Sequence, residues 1–387
     1  MLDFPAMELD QLLALAVRSG TSDVHLKAGL PPMFRVHGAL RPVKDSPRLS
    51  AEEVGRMAVS MMAPPHREQF KKNLDVDLAY SVQGLGRFRV NIYQQRGVVG
   101  VCARVINHEI KSIRELHLPG VIEQIASEER GLILVTGATG SGKSTTLAAI
   151  VDHINSTRTD HVMTVEDPIE YLHRDKRSLI NQREVGTDTV GFTSGLRAAL
   201  RQDPDVILIG EMRDLETIET ALLAAETGHL VLSTLHTLNA VETISRIIGV
   251  FEPHHQAQVR RQLASVLRAV ICQRLVSRAD GKGRVAAMEV MRVTKRIEEL
   301  IEEEERTREI PDALAQGTTT YGMQTFDQAL MFLLQARYIT YEEAHRQCDN
   351  PDDFALRVSG VSSADGGKWD SFDAGGSSEG GMDIERF

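Results

Sequence analysis

The sequence predicts an α/β protein in which a domain with a mainly parallel sheet follows a smaller α+β domain. Beyond residue 120, continuous apolar runs alternate with helical segments, which is typical of parallel strands covered on both faces. Before residue 110, the strand-like runs alternate apolar and polar residues, which is typical of an antiparallel sheet with one wet face. At 387 residues the chain is also longer than one ordinary domain. We therefore expect domains at 1–110 and 121–357, a linker at 111–120, and a disordered Gly/Ser/acidic tail at 358–387.

The composition is that of a globular protein, with 42% hydrophobic and 25% charged residues. A net charge of −10 argues against broad nucleic-acid binding, because that binding needs a basic surface. The three cysteines lie far apart without a C-x-x-C pair, so neither a zinc site nor a disulfide framework is predicted. No apolar run reaches transmembrane length and no signal peptide precedes the first helix, so we expect a cytoplasmic protein.

The elements of the first domain follow from apolar spacing. Apolar residues recur at helical spacing from Met7 to Ser19, and Gly20 follows as a stop. A second helical segment at 51–62 ends at the pair Pro64-Pro65. Strand-like runs occupy residues 23–26, 33–36, 77–82, 86–93 and 98–106.

The elements of the second domain begin with a helix for which Pro119 is well placed as the first residue. Buried strands are predicted at 132–136, 161–165, 205–209 and 229–234, and further helices at 242–248, 253–274 and 324–337. The acidic block at 298–305 is predicted to be a solvated helix face.

A glycine-rich loop joins the first of these strands to a helix. It fulfils the pattern G-x-x-x-x-G-K-[ST] with Gly137, Ala138, Thr139, Gly140, Ser141, Gly142, Lys143 and Ser144, after which Thr145 continues into the helix. Glycines allow successive backbone N–H groups to point at one anion, and the helix N-terminus adds partial positive charge. Lys143 would reach the phosphates and the Ser144 hydroxyl would ligate Mg²⁺. We therefore predict a nucleotide-binding protein.

Two groups of acidic residues at strand ends are candidates for the chemistry. Glu211 could supply the carboxylate for Mg²⁺, although Gly210 stands where the usual pattern has an aspartate. Hydrolysis also needs a base that activates water at the γ-phosphate, and either Glu166 or Glu170 could be that base.

Histidines and arginines complete the set of candidates. His229 and His236 flank one predicted strand, whose end could sense the γ-phosphate. In the first domain, Arg87 and Arg89 lie on one face of their strand, and Arg104 lies on an adjacent strand-like run. Such guanidinium groups could stabilise a triphosphate.

Together these residues resemble the bacterial secretion-ATPase superfamily, and more closely its type IV pilus retraction ATPases of the PilT and PilU type. The resemblance covers nearly the whole chain up to the tail. Besides the glycine loop, the matching stretches are residues 22–26, 86–91, 165–170, 181–186, 203–205, 210–214, 225–230, 234–237 and 322–327.

The resemblance implies a PAS-like N-terminal domain, a RecA-like ATPase domain and a ring of six subunits that binds ATP and Mg²⁺. It makes Glu170 the catalytic glutamate of an acidic box beginning at Glu166, and Glu211 the acidic residue of an atypical Walker B motif. It assigns the remaining candidates to a histidine box and to arginines that approach the γ-phosphate: His229, His236, Arg87, Arg89 and Arg104.

The same resemblance implies a motor that drives pilus retraction at the cytoplasmic face of the inner membrane. Its partners would be an inner-membrane platform protein and a paralogous retraction ATPase, and no nucleic acid. The chain lacks the tetracysteine zinc module that is usual in assembly ATPases, which favours retraction. The stretch 296–303 inverts the charge of a helix that PilT-type proteins need for retraction, and residues 338–344 look more like PilU, whereas 212–217 look more like PilT.

Two other functions are compatible with the same sequence. The first is a nucleotide-gated interaction protein of the pilus base with little turnover. The second is a DNA translocase, which the acidic charge balance disfavours.

Overall fold

The structure is a computed structural model that describes residues 8–36, 38–106 and 109–360. It divides the chain into two compact units. The first takes in the chain up to Ile110 together with Pro168–Arg174, and the second contains Lys111–Asp167 and the chain from Asp175 onward. The predicted tail at 358–387 lies outside the described residues except for its first three positions.

The first unit is built on a six-stranded sheet in which every neighbouring pair of strands is antiparallel, as predicted. Its elements are α1 (Leu9–Arg18), β1 (Asp23–Lys27), β2 (Met33–Val36), β3 (Ala39–Pro42), α2 (Ala51–Met61), α3 (Pro64–Asn73), β4 (Asp75–Val82), β5 (Gly86–Gln95) and β6 (Val98–Val105). The strand order is β3-β2-β1-β6-β5-β4. One face of the sheet packs with α1 and α2 around buried residues such as Leu12, Val54 and Phe88.

Two elements of this unit were missed by the sequence analysis. The pair Pro64-Pro65 begins α3 instead of only ending α2, because the fixed φ of proline suits the first turn of a helix. Strand β3 is exposed along its whole length, so it carries no apolar alternation that could have predicted it.

The second unit is built on a seven-stranded sheet that is parallel except for its last edge strand. Its first half contains α4 (Val121–Ala126), β7 (Gly131–Thr136), α5 (Lys143–Thr157), β8 (His161–Glu166), β9 (Leu179–Glu184), α6 (Phe192–Ala199), β10 (Val206–Ile209), α7 (Leu215–Glu226), β11 (Leu230–Leu235) and α8 (Ala240–Gly249). Its second half contains α9 (Pro253–Val266), β12 (Leu267–Ser277), β13 (Arg284–Arg292), α10 (Lys295–Glu302), a 3-10 helix (Glu304–Glu309), α11 (Ile310–Gln316), α12 (Thr318–Tyr321), α13 (Phe326–Gln335), α14 (Tyr341–Gln347) and α15 (Pro351–Val358).

The order of this sheet is β13-β12-β7-β11-β10-β8-β9, with only β13 antiparallel to its neighbour. The side chains of β7 alternate between two apolar clusters. Leu132 and Leu134 belong to one cluster, and Ile133 and Val135 belong to the other. Helices therefore cover both faces, and the predicted mainly parallel sheet is confirmed.

One predicted helix is wrong in its second half. The sequence predicts a helix over 253–274, but α9 ends at Val266 and β12 begins at Leu267. Residues 269–272 pair with β7 instead. A buried strand and a buried helix can have the same apolar composition, so the apolar run alone did not distinguish them. The helix expected to begin at Pro119 begins at Val121 instead, and the Pro119 carbonyl accepts the N–H of Ile122.

The acidic block at 298–305 is largely exposed as predicted, but it is not one helix face, because α10 ends at Glu302 and a 3-10 helix begins at Glu304. Helix α10 buries Ile297, Leu300 and Ile301, while the glutamates at 299 and 302 are exposed to solvent. Among the helices of the described ranges, none combines the length and the apolar composition needed to cross a bilayer.

Candidate active site

The glycine loop lies between β7 and α5 and depends on glycine at specific positions. Gly137, Gly140 and Gly142 have φ angles of 140°, 79° and 91°. A Cβ on Gly137 would lie 2.4 Å from the carbonyl oxygen of Gln273, and a Cβ on Gly142 would lie 2.7 Å from Gln273 Nε2. Both the backbone conformation and the space therefore exclude a side chain at Gly137 and Gly142.

The loop ends at the N-terminus of a 15-residue helix, α5, which begins at Lys143. Lys143 Nζ donates to the carbonyl oxygens of Gly137 and Ala138 at 2.8 and 3.1 Å. The ammonium group is thus held against the loop, where the helix N-terminus also concentrates partial positive charge. Ser144 and Thr145 follow in the first turn, so an anion bound here would meet backbone N–H groups and one fixed cation.

Gln273 of β12 also contacts this loop and was not among the predicted site residues. Gln273 is buried, donates from Nε2 to the Ser141 carbonyl at 2.7 Å, and accepts at Oε1 from the Thr146 hydroxyl at 2.7 Å. The available signal for Gln273 was its position as a polar residue inside the apolar run at 269–276. This signal was not used because residues up to 274 were predicted to be a helix.

Strand register brings several other candidates to the same edge of the sheet. Thr136, the last residue of β7, pairs with Leu235 of β11 and with Cys272 of β12. Ile209 of β10 pairs with Ser233 and with Val165 of β8. The residues that follow these positions therefore share the C-terminal edge of the sheet: Glu166, Glu211, His236 and Gln273.

Glu211 is the centre of a charged cluster at this edge. Its Oε2 lies 2.7 Å from Arg213 Nη2, and its Oε1 lies 3.0 Å from His236 Nε2. Burial raises the pKa of Glu211, but Arg213 and His236 outweigh burial and hold that pKa below its ordinary value. The carboxylate is therefore ionised at neutral pH.

The missing aspartate of the usual Walker B pattern has a steric explanation. The N–H of Gly210 donates to the Val165 carbonyl at 2.8 Å, and a Cβ at this position would lie 3.3 Å from Glu166 Cα. A larger side chain at Gly210 would press on the backbone of β8.

The two candidate bases have different surroundings. Glu166 ends β8 and accepts at Oε1 from the Thr164 hydroxyl at 2.6 Å and from Gln182 Nε2 at 3.1 Å. Glu170 is exposed and belongs to the segment Pro168–Arg174, which groups with the first unit. Glu166 is therefore tied to neighbouring side chains of its own sheet, whereas Glu170 is exposed to solvent.

His229 lies at the opposite edge of the sheet from His236. The strand between them, β11, has six residues, and the His229 carbonyl pairs with the N–H of Gly131 at the start of β7. Its Nδ1 lies 2.9 Å from the Ala224 carbonyl oxygen and 3.2 Å from the Thr227 hydroxyl. These contacts hold the turn between α7 and β11.

The three arginines belong to the first unit. Arg89 and Arg104 stand directly opposite each other on β5 and β6, and Arg87 lies two residues before Arg89. Arg104 Nε donates to Asp23 Oδ1 at 2.8 Å, and this buried carboxylate raises the pKa of Arg104, with a further contribution from Glu170. The arginines and Glu170 are therefore members of one unit, and the glycine loop, Glu211 and His236 are members of the other.

Comparisons with known proteins show what the chain is similar to. The family model of type II/IV secretion system proteins matches residues 5–345. The Pseudomonas aeruginosa type IV pilus retraction ATPase PilT is 45% identical over 90% of this chain and 100% of its own length. The type IV pilus ATPase PilU of the same species is 42% identical over 91% of each chain.

Two solved structures extend the comparison to the fold. A crystal structure of the pilus retraction motor PilT with bound ADP has a TM-score of 0.82 and 44% identity, and the match covers 89% of this chain and 98% of that one. The Legionella pneumophila ATPase DotB has a TM-score of 0.76 and 28% identity, covering 94% of this chain and 98% of that one.

Proposed function

The chain belongs to the family of type II/IV secretion system proteins, and from this premise we propose that it is an ATPase that powers retraction of a type IV pilus. The observation that carries the proposal is 45% identity to PilT over the whole length of that relative. The geometry of residues 137–145 supports nucleotide binding independently, because a loop of this shape at a helix N-terminus suits a phosphate.

We propose that Lys143 and the loop N–H groups bind the phosphates. The contacts of Lys143 to the Gly137 and Ala138 carbonyls keep its ammonium group at the loop, so little reorganisation is needed when phosphate oxygens replace them. Thr145 and the remaining loop residues contribute backbone groups, and their hydrogen bonds orient the phosphate chain.

The donor chemistry fits Mg²⁺. The described residues contain no group of three or more His, Cys, Asp or Glu side chains arranged to hold a metal ion. Mg²⁺ bound with a nucleotide typically takes one or two protein oxygens, with phosphates and waters as the other ligands. We propose Ser144 and Glu211 as those residues, Glu211 being ionised and already held by Arg213 and His236. When bound, Mg²⁺ would neutralise charge on the phosphate oxygens.

For the water-activating base we propose Glu170. It is exposed, whereas Glu166 is engaged by Thr164 and Gln182. His236 would report the state of the γ-phosphate to Glu211, since the two side chains are in contact. We propose that Arg87, Arg89 and Arg104 stabilise phosphate charge, with Arg104 oriented by Asp23.

The larger assembly is proposed by analogy with PilT. We propose a homo-hexameric ring at the cytoplasmic face of the inner membrane, which acts on a platform protein of the pilus and so supports twitching motility. The first unit would be a PAS-like domain, for which six antiparallel strands with helices on one face are suitable, and the second a RecA-like domain.

The identity to PilU supports a second candidate function. At 42% identity, PilU is almost as similar to this chain as PilT is. As a PilU-like accessory, the chain would bind ATP and pilus-base partners, including a paralogous ATPase, but turn over slowly alone.

Steady-state hydrolysis of Mg²⁺-ATP by the purified protein, at its measured oligomeric mass, tests the proposal. Wild type should hydrolyse ATP as a hexamer, and Glu170→Gln should lose about 10²-fold or more in kcat while still binding ATP. Glu166→Gln is the matched variant and should lose less. ATP binding without hydrolysis would favour the accessory function, and normal pilus retraction in cells that lack the protein would contradict both functions.

A further inference from the structure

Gln273 is a buried polar residue whose two hydrogen bonds both end on the nucleotide-binding motif. It is 3% exposed, at the point where β12 passes the end of β7. Its amide nitrogen donates to Ser141 in the loop, and its amide oxygen accepts from Thr146 in the first turns of α5. One side chain therefore connects the loop to the helix that follows it.

The backbone and side chain of Gln273 also set the shape of the loop. The Gln273 carbonyl oxygen occupies the space that a Cβ on Gly137 would need, and its amide nitrogen occupies the space beside Gly142. Both glycines that flank the loop thus lie against the same residue of β12.

The hydrogen bond to Ser141 has a consequence for the next peptide group. The Ser141 carbonyl and the Gly142 N–H belong to one planar peptide unit and point in opposite directions. Because Gln273 Nε2 fixes the carbonyl toward β12 at 2.7 Å, the Gly142 N–H is fixed away from β12. An N–H that points away from β12 can donate to an anion bound by the loop.

We propose that Gln273 is a positioning residue that holds the glycine loop in its phosphate-binding conformation. It does not touch the phosphate; it acts through the peptide unit of Ser141 and Gly142 and through the Thr146 hydroxyl. This inference rests on the proposed nucleotide-binding function and adds to it a residue on a strand outside the motif.

The test compares two buried glutamines that make similar hydrogen bonds in different places. Gln273→Met keeps the size of the side chain but removes both bonds. Gln324→Met is the matched control, because Gln324 is 9% exposed and its Nε2 donates to the Met288 carbonyl at 2.9 Å, a contact that does not involve the loop. The measurements are ADP affinity by titration and the thermal midpoint of the full-length protein.

Gln273→Met should bind ADP at least about tenfold more weakly, because the Gly142 N–H would no longer be oriented to donate a hydrogen bond to the charged phosphate. Gln324→Met should lower the thermal midpoint similarly yet keep wild-type ADP affinity. Equal ADP affinity of Gln273→Met and wild type would overturn the inference, as would an equal loss of affinity in both variants. If wild type itself does not bind ADP, the proposed function fails instead.

A second variant keeps the inference testable if Gln273→Met does not fold. Thr146→Val removes only the hydroxyl that fixes the orientation of the Gln273 amide, with little change of volume. It should weaken ADP binding by a few-fold with a near-normal thermal midpoint. Unchanged ADP affinity in folded Thr146→Val would then contradict the proposed role.

Discussion

The two edges of the parallel sheet in the second unit carry similar residue types with different surroundings. At the C-terminal edge, Lys143 is held inside a glycine loop and Glu211 contacts His236. At the N-terminal edge, a polar cavity of about 610 Å³ has Asp205 and His229 among its lining residues. Here the side chains bond to backbone groups of the turns, as Asp205 does to the N–H of His161. The charged residues at the C-terminal edge are those that we propose bind the nucleotide, whereas those at the N-terminal edge bond to backbone groups of the fold.

One sequence motif can place its members at both edges of the sheet. His229 and His236 are seven residues apart and belong to one predicted histidine box, yet the six residues of β11 separate them. An extended strand rises about 3.3 Å per residue, so the two histidines lie roughly 20 Å apart along the sheet. Residues of the same chemical type at the two edges can therefore be substituted as matched pairs.

The largest difference is expected between lysines near opposite ends of α5. Lys143→Ala should reduce kcat/KM for ATP by about 10²–10³-fold, because it removes a fixed cation from developing phosphate charge. Lys176→Ala removes an ion pair with Asp152 near the other end of α5 and should leave ATP hydrolysis unchanged. Steady-state phosphate release measures both. Similar activities of Lys143→Ala and Lys176→Ala would show that the two edges of the sheet do not differ in their importance for hydrolysis.

The acidic residues at the two ends of β10 give the next comparison. Glu211→Gln should lower kcat by about 10²-fold, since the charge that pairs with Arg213 and His236 is lost. Asp205→Asn keeps an oxygen acceptor for the His161 N–H and should change kcat less than about twofold. Titration with Mg²⁺ would show whether the Glu211 variant also needs more metal for half-maximal activity. A wild-type rate for Glu211→Gln would contradict its assignment.

Substitution of His236 should mainly affect activity, whereas substitution of His229, at the other end of β11, should mainly affect stability. His236→Ala should lower kcat by about tenfold with little effect on stability, because its side chain is 46% exposed. His229→Ala should instead lower the free energy of unfolding by about 1 kcal/mol through lost contacts to Ala224 and Thr227. Kinetics and chemical denaturation, measured on both variants, separate the effects. A larger kinetic loss for His229→Ala would favour a catalytic role for that residue.

The last expected effect is on stability alone and concerns its pH dependence at the C-terminal edge. Glu289 is 6% exposed and accepts the N–H of Ala240 at the start of α8. Burial raises its pKa from an ordinary 4.5 to about 7, although the Ala240 N–H opposes the shift. A raised pKa in the folded state means that stability is highest below the ordinary value and falls as pH rises toward 7.

Glu289→Gln should remove that slope, which is at most about 1.4 kcal/mol per pH unit. The glutamine oxygen still accepts the Ala240 N–H, so the variant should be relatively more stable at pH 8 than wild type. Urea midpoints between pH 4.5 and 8 measure this, and Glu299→Gln on the exposed face of α10 is the control. An unchanged slope in Glu289→Gln would show that other groups cause it.

Much of the fold could be predicted from the sequence, because apolar spacing records burial. The alternation on β5 predicted that Arg87 and Arg89 share a face, and the structure confirms it with Phe88 and Val90 buried between and beside them. The glycine loop was predictable residue by residue, since only glycine suits the left-handed φ angles and the close approach of β12.

The rest depended on tertiary contacts that no local pattern records. The apolar run that begins at Leu267 is compatible with either a buried helix or a buried strand. Its pairing with β7 makes it a strand. Gln273 was missed for that reason. Likewise, Glu166 and Glu170 are four residues apart in sequence, yet the structure assigns them to different units.

The most direct test is an experimental structure of the protein with ADP and Mg²⁺. We expect the β-phosphate to bind the N–H groups of residues 140–144, with Lys143 Nζ moved from the Gly137 carbonyl to a phosphate oxygen. The cavity beside His229 should hold no nucleotide. A nucleotide at that N-terminal edge, or a loop that leaves Lys143 on its own carbonyls beside bound ADP, would contradict the account.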